Sequence, residues 1–321
     1  TSVRGTQQLG WVPDPLYDGV FAAWYGKGPG VDRSIDALKH GNFTGSHPKG
    51  GVAVFYGDDH GGKSSSIAHH SEQAMAAALI PSLYPANAGE IVEYGLMAYA
   101  LSRYSGSWVG VKLVNEVVEQ TATIDVDVMN LQAVLPAYGE LPPEGIHSAG
   151  GRYNPLRDEQ IVTDFRLPLI DAFVRANPID RVVFKAERPR LGLVSAGKSY
   201  SDTRQALSML GLDERAAALG ISLYKVGCIW PLEQQGIAAF AAGHETLFVI
   251  EEKKSFVELQ AAAALINLVE RPRLIGKRDE HGESLRRSEA LEQRDDRDRI
   301  GRREHGCEDH RVREAKLLCQ V

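Results

Sequence analysis

A glycine-rich segment with two cations follows the first predicted strand of the sequence. It spans residues 24–33 and reads WYGKGPGVDR. Three glycines and a proline at the carboxyl end of a strand let the backbone pass close to a ligand. Lys27 and Arg33 can supply cations for an anionic group, or they can be ordinary surface residues. The segment is neither a Walker loop nor a dinucleotide fingerprint, because the glycine spacing of both is missing.

A second polar segment follows the next predicted strand. Residues 57–66 read GDDHGGKSSS, and residues 69–73 read HHSEQ. Acids and histidines together suggest a metal, but adjacent residues of a regular element point in different directions and cannot easily face one ion. We therefore expect no metal here, and favour a hydrogen-bonded loop that lines a cofactor or a subunit interface.

The individual side chains of this segment have two readings each. Asp58 and Asp59 can touch a ligand, or they can fix the loop by accepting hydrogen bonds from backbone N–H groups. His60 and His69 can shuttle protons, although a structural hydrogen bond is the commoner role of such histidines. His60 is the one candidate catalytic residue that the sequence offers.

Alternating strands and helices are predicted to position both segments. Buried strands are expected at 18–25, 51–56, 82–84 and 108–114, with helices at 71–78 and 88–105 between them. Ser71 can cap the first helix, and Gly106 ends the second. Strands that alternate with helices favour a parallel sheet covered by helices.

A second α/β unit is predicted after a proline-rich linker. Its strands are expected at 190–195, 222–226 and 246–250, with a turn at Gly197 and helices at 163–176, 200–210, 232–242 and 255–269. Cys228 is read as a small core residue. Residues 251–254 (EEKK) are read as a solvated strand end or a domain contact.

Composition limits the classes of protein. Hydrophobic residues at 43% and charged residues at 24% are typical of a soluble globular chain, and a cytoplasmic location is the default. The net charge of -6 argues against nucleic acid as a partner. No apolar stretch is long enough to predict a membrane span. The three cysteines form no C-x-x-C pair, so we expect no iron–sulfur cluster within this chain.

Several strings of the sequence resemble one known family. They are YDGVF (17–21), WYGKGPGVDRS (24–34), GDDH (57–60), KSS (63–65), SRYSGSWVG (102–110), the 195–207 string SAGKSYSDTRQAL, LYKVGCIWPLE (223–233) and IEEKK (250–254). Together they resemble the large, fused form of indolepyruvate ferredoxin oxidoreductase.

The resemblance implies a two-domain α/β fold, each domain a mostly parallel sheet flanked by helices. Residues 1–125 would be part of the thiamine-diphosphate domain that faces the pyrimidine ring, 126–162 a linker, and 163–275 a transketolase C-terminal-like domain. The implied reaction is oxidative decarboxylation of a 2-oxoacid, indolepyruvate or another aryl pyruvate, to an acyl-coenzyme A with electrons passed to ferredoxin. The implied cofactors are thiamine diphosphate, Mg²⁺ and iron–sulfur clusters. In that reading Gly28 and Gly30 allow the backbone to approach the cofactor closely. The residues implied to bind the cofactor are Gly26, Lys27, Gly28, Gly30, Arg33, Asp58 and Asp59.

The sequence also departs from the family pattern. The activating Glu of the family precedes a Gly-Thr-Gln-Gln string, which here is residues 5–8, so we expect that Glu upstream of Thr1. The Mg²⁺-binding Gly-Asp-Gly is missing from the sequence, and His70 replaces the usual Gln. We therefore expect missing domains or partner subunits, a dimer, and no activity from this chain alone.

Two alternatives to this reading stay open. The chain can be a non-catalytic remnant or association module of that enzyme, or a different thiamine enzyme such as a transketolase-like transferase.

Residues 276–321 carry the charge run RDDRDR (294–299) with few aliphatic side chains. They are expected to be a polar tail, either disordered or read out of frame.

Overall fold

The first sheet brings together strands from both halves of the chain. The computed structural model describes residues 2–60, 67–125, 127–128, 130–148, 154–213 and 215–278. The sheet has the order β1-β2-β4-β3-β8. β1–β4 are parallel neighbours, whereas β8 pairs antiparallel with β3. Its strands are β1 (Phe21–Lys27), β2 (Gly51–Asp58), β3 (Ser82–Leu83), β4 (Val109–Val114) and β8 (Cys228–Trp230).

The helices of this half begin and end where the sequence provides the signals. They are α1 (Ser2–Thr6), α2 (Gly28–Thr44), α3 (Ser71–Ala77), α4 (Ala88–Ser105) and α5 (Asn115–Val118). The Asn87 side chain accepts a hydrogen bond from the Glu90 N–H at 3.0 Å and so caps α4. Gly106 ends the same helix with a left-handed φ of 80°. The prediction for α4 is confirmed.

The second sheet has the order β10-β9-β6-β7-β5. Only β5 runs antiparallel to its neighbour. The strands are β5 (Arg181–Phe184), β6 (Leu191–Ala196), β7 (Ile221–Val226), β9 (Thr246–Ile250) and β10 (Arg273–Ile275). The helices are α6 (Pro155–Ile161), α7 (Leu167–Ala176), α8 (Gly197–Met209), α9 (Gln234–Ala241) and α10 (Val257–Leu265).

Apolar packing joins the two halves. Ile170 and Phe173 of α7 lie in one buried cluster with Leu101 of α4 and Cys228 of β8. Cys228 is fully buried, which confirms its reading as a core residue. The Lys225 ammonium of β7 forms a buried ion pair with Glu90 of α4. The α/β fold class is confirmed. Since β8 joins the first sheet, the exact domain limits stay a prediction.

Several local expectations are wrong. β1 is not a buried strand but an edge strand with alternating exposure, and Tyr25 is 83% exposed. Residues 24–33 form no loop, because β1 continues to Lys27 and α2 begins directly at Gly28. Gly197 is not a turn but the first residue of α8, with a φ of 49°. The linker expected at 126–162 contains α6.

Three strands were missed from the sequence, and two predicted segments lie outside the described residues. β5, β8 and β10 were not predicted. The KSS string (63–65) and the tail from residue 279 lie outside the described residues. Among the described helices, none is long and apolar enough to cross a membrane.

Candidate functional site

The predicted cofactor-binding residues meet at one edge of the first sheet. Lys27 at the end of β1 is in register with Gly57, and Asp58 at the end of β2 is in register with Val114 of β4. Gly26 lies on β1, and Asp59 and His60 follow β2 directly. Gly28, Gly30 and Arg33 form the first turns of α2. The carboxyl ends of parallel strands are the usual location of ligand sites in α/β sheets.

The two helical glycines have different surroundings. A Cβ on Gly28 would overlap the His69 imidazole ring, so this glycine allows a close approach by a side chain of the same protein. His69 Nδ1 also lies 3.4 Å from the Asp32 carboxylate. A Cβ on Gly30 would meet no atom within 4 Å, and its φ is not left-handed. Backbone strain therefore does not require glycine at position 30.

Asp58 holds the start of α3. Its carboxylate accepts hydrogen bonds from the Ser71 N–H at 2.9 Å and from the Ser71 hydroxyl at 2.6 Å. The capping interpretation of Asp58 is confirmed, whereas the expected cap by Ser71 is wrong because Ser71 is itself the donor. Burial raises the pKa of Asp58, and the nearby Lys112 ammonium and these hydrogen bonds oppose the rise.

A buried ion pair lies directly behind this edge. Lys112 of β4 and Glu72 of α3 are 3.1 Å apart, with side chains only 4% and 6% exposed. Burial acts to raise the pKa of Glu72, but attraction to Lys112 and hydrogen bonding together outweigh burial, and the net pKa is lowered. Burial acts to lower the pKa of Lys112, but Glu72, Glu252 and Asp58 together raise it. Both partners are therefore charged at neutral pH.

Tyr84 connects this pair to the second sheet. The Lys112 ammonium lies 4.8 Å from the centre of the Tyr84 ring. The Tyr84 hydroxyl donates to Glu252 at 3.3 Å, and the Ser199 N–H at the start of α8 donates to the same carboxylate at 3.1 Å. Gly197 is required here, because a Cβ would overlap the Tyr84 ring. The carboxyl ends of β4, β6 and β9 thus meet at one place, and Glu252 is one of the contacts between the two halves.

Two histidines of the edge have unused hydrogen-bonding capacity. Both ring nitrogens of His60 and Nδ1 of His70 are buried without a hydrogen-bond partner among the described residues. Burial, with Lys112 as the next contribution, lowers the pKa of His60 to about 3. Burial also lowers the pKa of His70. Both imidazoles are neutral at pH 7, so each offers one donor and one acceptor. Leaving such groups unpaired costs roughly 1–3 kcal/mol each, which a bound ligand would recover.

The metal interpretation finds no support in the part of the chain that the structure describes. No group of three or more His, Cys, Asp or Glu side chains there is arranged to hold a metal ion. His60 and His70 have ring centres 6.3 Å apart at an angle of 60°. Their arrangement is suited to hydrogen bonding rather than to shared coordination.

Sequence reasoning missed the charged residues behind the edge. Lys112, Glu72 and Tyr84 were given no chemical role, although Glu72 belongs to the 69–73 segment. For Glu252 the interpretation as a domain contact is confirmed. One signal was available, because Lys112 interrupts the apolar run VGVKLV of a predicted buried strand. A lysine in such a strand needs a buried anionic partner.

Comparison with known proteins identifies one family domain and one curated relative. The indolepyruvate oxidoreductase domain matches residues 181–317, which begin at β5 and extend into the tail. The indolepyruvate oxidoreductase subunit IorA of Methanothermobacter marburgensis is 23% identical over 245 residues. That alignment covers 76% of this chain but 38% of the relative, so the chain spans well under half of the relative's length.

Solved structures show where the fold recurs. A split-gene transketolase, described as an inactive beta4 tetramer, has a TM-score of 0.50 and 13% identity over 88% of this chain and 72% of its own. The 2-oxoglutarate:ferredoxin oxidoreductase of Magnetococcus marinus has a TM-score of 0.49 and 11% identity over 85% of this chain and 60% of its own. The transketolase likeness shows a shared fold. By sequence, the chain is similar to an indolepyruvate oxidoreductase subunit, and its residues 181–317 match the indolepyruvate oxidoreductase domain.

Proposed function

We propose that the chain is part of a thiamine-diphosphate-dependent 2-oxoacid:ferredoxin oxidoreductase. The proposed enzyme decarboxylates indolepyruvate or another aryl pyruvate to an acyl-coenzyme A and passes electrons to ferredoxin. The family domain and the named relative support the reaction class. Soluble partner subunits or further domains, a dimeric assembly and a cytoplasmic location belong to the same proposal.

One observation carries the assignment of the site. The unpaired nitrogens of His60 and His70 lie beside the fixed Lys112–Glu72 pair, where the carboxyl ends of strands from both sheets meet. A 2-oxoacid is an anion with a polarised ketone. A neutral His60 can donate one hydrogen bond to the carbonyl or carboxylate oxygen of this anion.

The residues at the edge fit the uncharged part of the cofactor better than its diphosphate. Thiamine diphosphate, when bound, supplies the electron sink that decarboxylation requires. Gly28 and Gly30 at the start of α2, with Lys27 and Arg33 beside them, would lie against the cofactor, and Asp58 with Asp59 would shape the wall opposite. Mg²⁺ and the diphosphate would be held by other segments or subunits, which would also carry the iron–sulfur clusters.

The chain's own residues have limited tasks in this proposal. Asp58 fixes α3 through Ser71, and α3 places Glu72 against Lys112. The ion pair keeps the Lys112 charge in place without a proton change near neutral pH. His60 stays neutral and orients the substrate by hydrogen bonding, so we assign it a binding role rather than that of a base.

An activity measurement tests the proposal. The chain would be co-expressed with the products of neighbouring genes, and the purified complex assayed for viologen reduction by indolepyruvate. We expect reduction that requires both thiamine diphosphate and coenzyme A. A complex that contains the cofactor and all subunits but reduces no viologen with any aryl pyruvate would contradict the proposal.

A non-catalytic association module is the second candidate. It is favoured by the Lys112–Glu72 ion pair, whose buried side chains can serve stability alone. In that case the same complex would form, but His60 and Lys112 variants would change its stability without changing turnover per complex.

A further inference from the structure

A second cavity lies away from the candidate site, between the carboxyl half of α2 and α6. It has a volume of about 390 Å³, within the size range of small-molecule pockets. Apolar side chains form much of its wall: Trp11, Phe43, Pro155, Leu156 and Ile161. Phe43 lies about 22 Å along α2 from Gly28, at 1.5 Å per residue. A ligand in this cavity is therefore too far from the edge of the first sheet to take part in its chemistry.

A buried arginine contributes to the wall. Arg166 is 2% exposed, yet no carboxylate of the described residues lies within ion-pair distance of its guanidinium. Its Nε donates to the Ile146 carbonyl at 2.8 Å, and its Nη1 to the Asn42 carbonyl at 2.6 Å. These acceptors are neutral, and of the two only the Asn42 carbonyl lies at the carboxyl end of α2, so they compensate only part of a full charge. Burial lowers the pKa of Arg166 to about 10, with Asp158 opposing at longer range.

Other features mark the same cavity. Arg4 lines it, and its Nε is buried without a hydrogen-bond partner among the described residues. The helix that carries Arg166 winds as a π-helical turn over Val162–Arg166, a geometry frequent at functional sites. Three acids also line the cavity: Asp36 is 92% exposed and lies 3.8 Å from His40, Glu159 is exposed, and Asp158 is half-buried. Arg166 is the buried charge among these lining residues, and the wall beside it is aromatic and aliphatic.

We propose that this cavity binds a small amphipathic carboxylate, a monoanion with an aromatic or aliphatic body. The carboxylate would accept hydrogen bonds from Arg4 and Arg166, since guanidinium groups match carboxylate geometry. The apolar body would lie against Trp11 and Phe43. The site is separate from the proposed oxidoreductase function and does not depend on it. Its occupation would tie α1, α2 and α6 together.

The test uses 3-phenylpropionate and its neutral isostere 3-phenylpropanamide as probes in calorimetric titrations of the folded chain. We expect the acid to bind at least tenfold more tightly than the amide, the effect of one charge-assisted hydrogen bond. Arg4→Gln should weaken binding of the acid roughly tenfold and leave binding of the amide unchanged. Arg188→Gln, which changes an exposed arginine outside the cavity, should alter neither. Arg4 is chosen because Arg166 also holds three backbone carbonyls.

An NMR measurement locates the bound probe. The indole N–H signal of Trp11, assigned with Trp11→Phe, should shift on addition of the acid, whereas that of the buried Trp108 should not. Equal affinity for acid and amide, no binding by either, an unaffected Arg4→Gln variant, or shifts at Trp108 alone would each overturn the proposal.

Discussion

Replacing Lys112 by methionine should destabilise the protein strongly. The substitution keeps the length and apolar stem of the side chain but removes the charge that Glu72, Glu252 and Asp58 all face. Glu72 is only 6% exposed, so its carboxylate would be left in a buried position without its partner. Breaking a buried ion pair in this way costs about 3–5 kcal/mol.

A double variant distinguishes the cost of leaving Glu72 without a partner from the cost of removing the whole ion pair. Lys112→Met combined with Glu72→Leu replaces the pair by apolar side chains of similar size. Such replacements are often close to neutral, so the double variant should recover at least half of the stability that Lys112→Met loses. The exposed pair of Lys49 and Asp18, with side chains 63% and 89% exposed, gives the control. Lys49→Met should change the free energy of unfolding by less than about 1 kcal/mol.

Urea denaturation at pH 7 measures these differences. The pH dependence adds a second check, because the folded pKa of Glu72 is lowered in the wild type. That contribution is present above the unfolded pKa near 4.5 and is lost as the pH falls through the folded value. In Lys112→Met burial should raise the pKa instead, so the stability gap should narrow as the pH falls from about 7 to 4. A Lys112→Met loss under about 1 kcal/mol, or one equal to that of the double variant, would refute the reasoning.

Three further predictions concern the same edge. Gly28→Ala should lower the free energy of unfolding by about 1–3 kcal/mol, because the new Cβ would overlap His69. Gly30→Ala lies in open helical space and should raise the free energy of unfolding by up to about 1 kcal/mol. Urea denaturation curves that ranked the two variants in reverse would contradict the packing described at the start of α2. The His60 imidazole should show no NMR titration between pH 8 and 5, since its pKa is about 3, and a midpoint near 6.5 would mean that the ring is solvated. The chain alone should bind thiamine diphosphate and Mg²⁺ more weakly than about 1 µM by calorimetry, and tighter binding would show that the site is complete within it.

Local signals in the sequence account for much of the observed fold. The Asn87 cap and Gly106 bound α4, and the continuous apolar runs of β2, β4 and β6 predict buried parallel strands. Short strands without such signals were missed. β8 has three residues and pairs antiparallel with β3, a partner far away in the sequence, so no local pattern reveals it.

The candidate site was predictable only in part. Glycines and acids after two strands indicated the edge, because the carboxyl ends of parallel strands meet there. Lys112 and Glu72 lie forty residues apart in the sequence, so their contact depends on how α3 packs on the sheet. Glu252 reaches Tyr84 from the other half of the chain. Such long-range pairs follow from the tertiary fold rather than from spacing.

The most direct test of the central claim compares two histidines in the assembled enzyme. Both ring nitrogens of His60 are buried without a hydrogen-bond partner among the described residues. His244 is also buried, but it lies just before β9, at the amino ends of the strands of the second sheet. If the carboxyl edge of the first sheet binds the 2-oxoacid, His60→Ala should lower kcat/KM for indolepyruvate at least tenfold, as the loss of a substrate hydrogen bond does. His244→Ala should leave kcat/KM within about twofold in complexes of equal cofactor content. A His60→Ala complex as active as the wild type would contradict the claim.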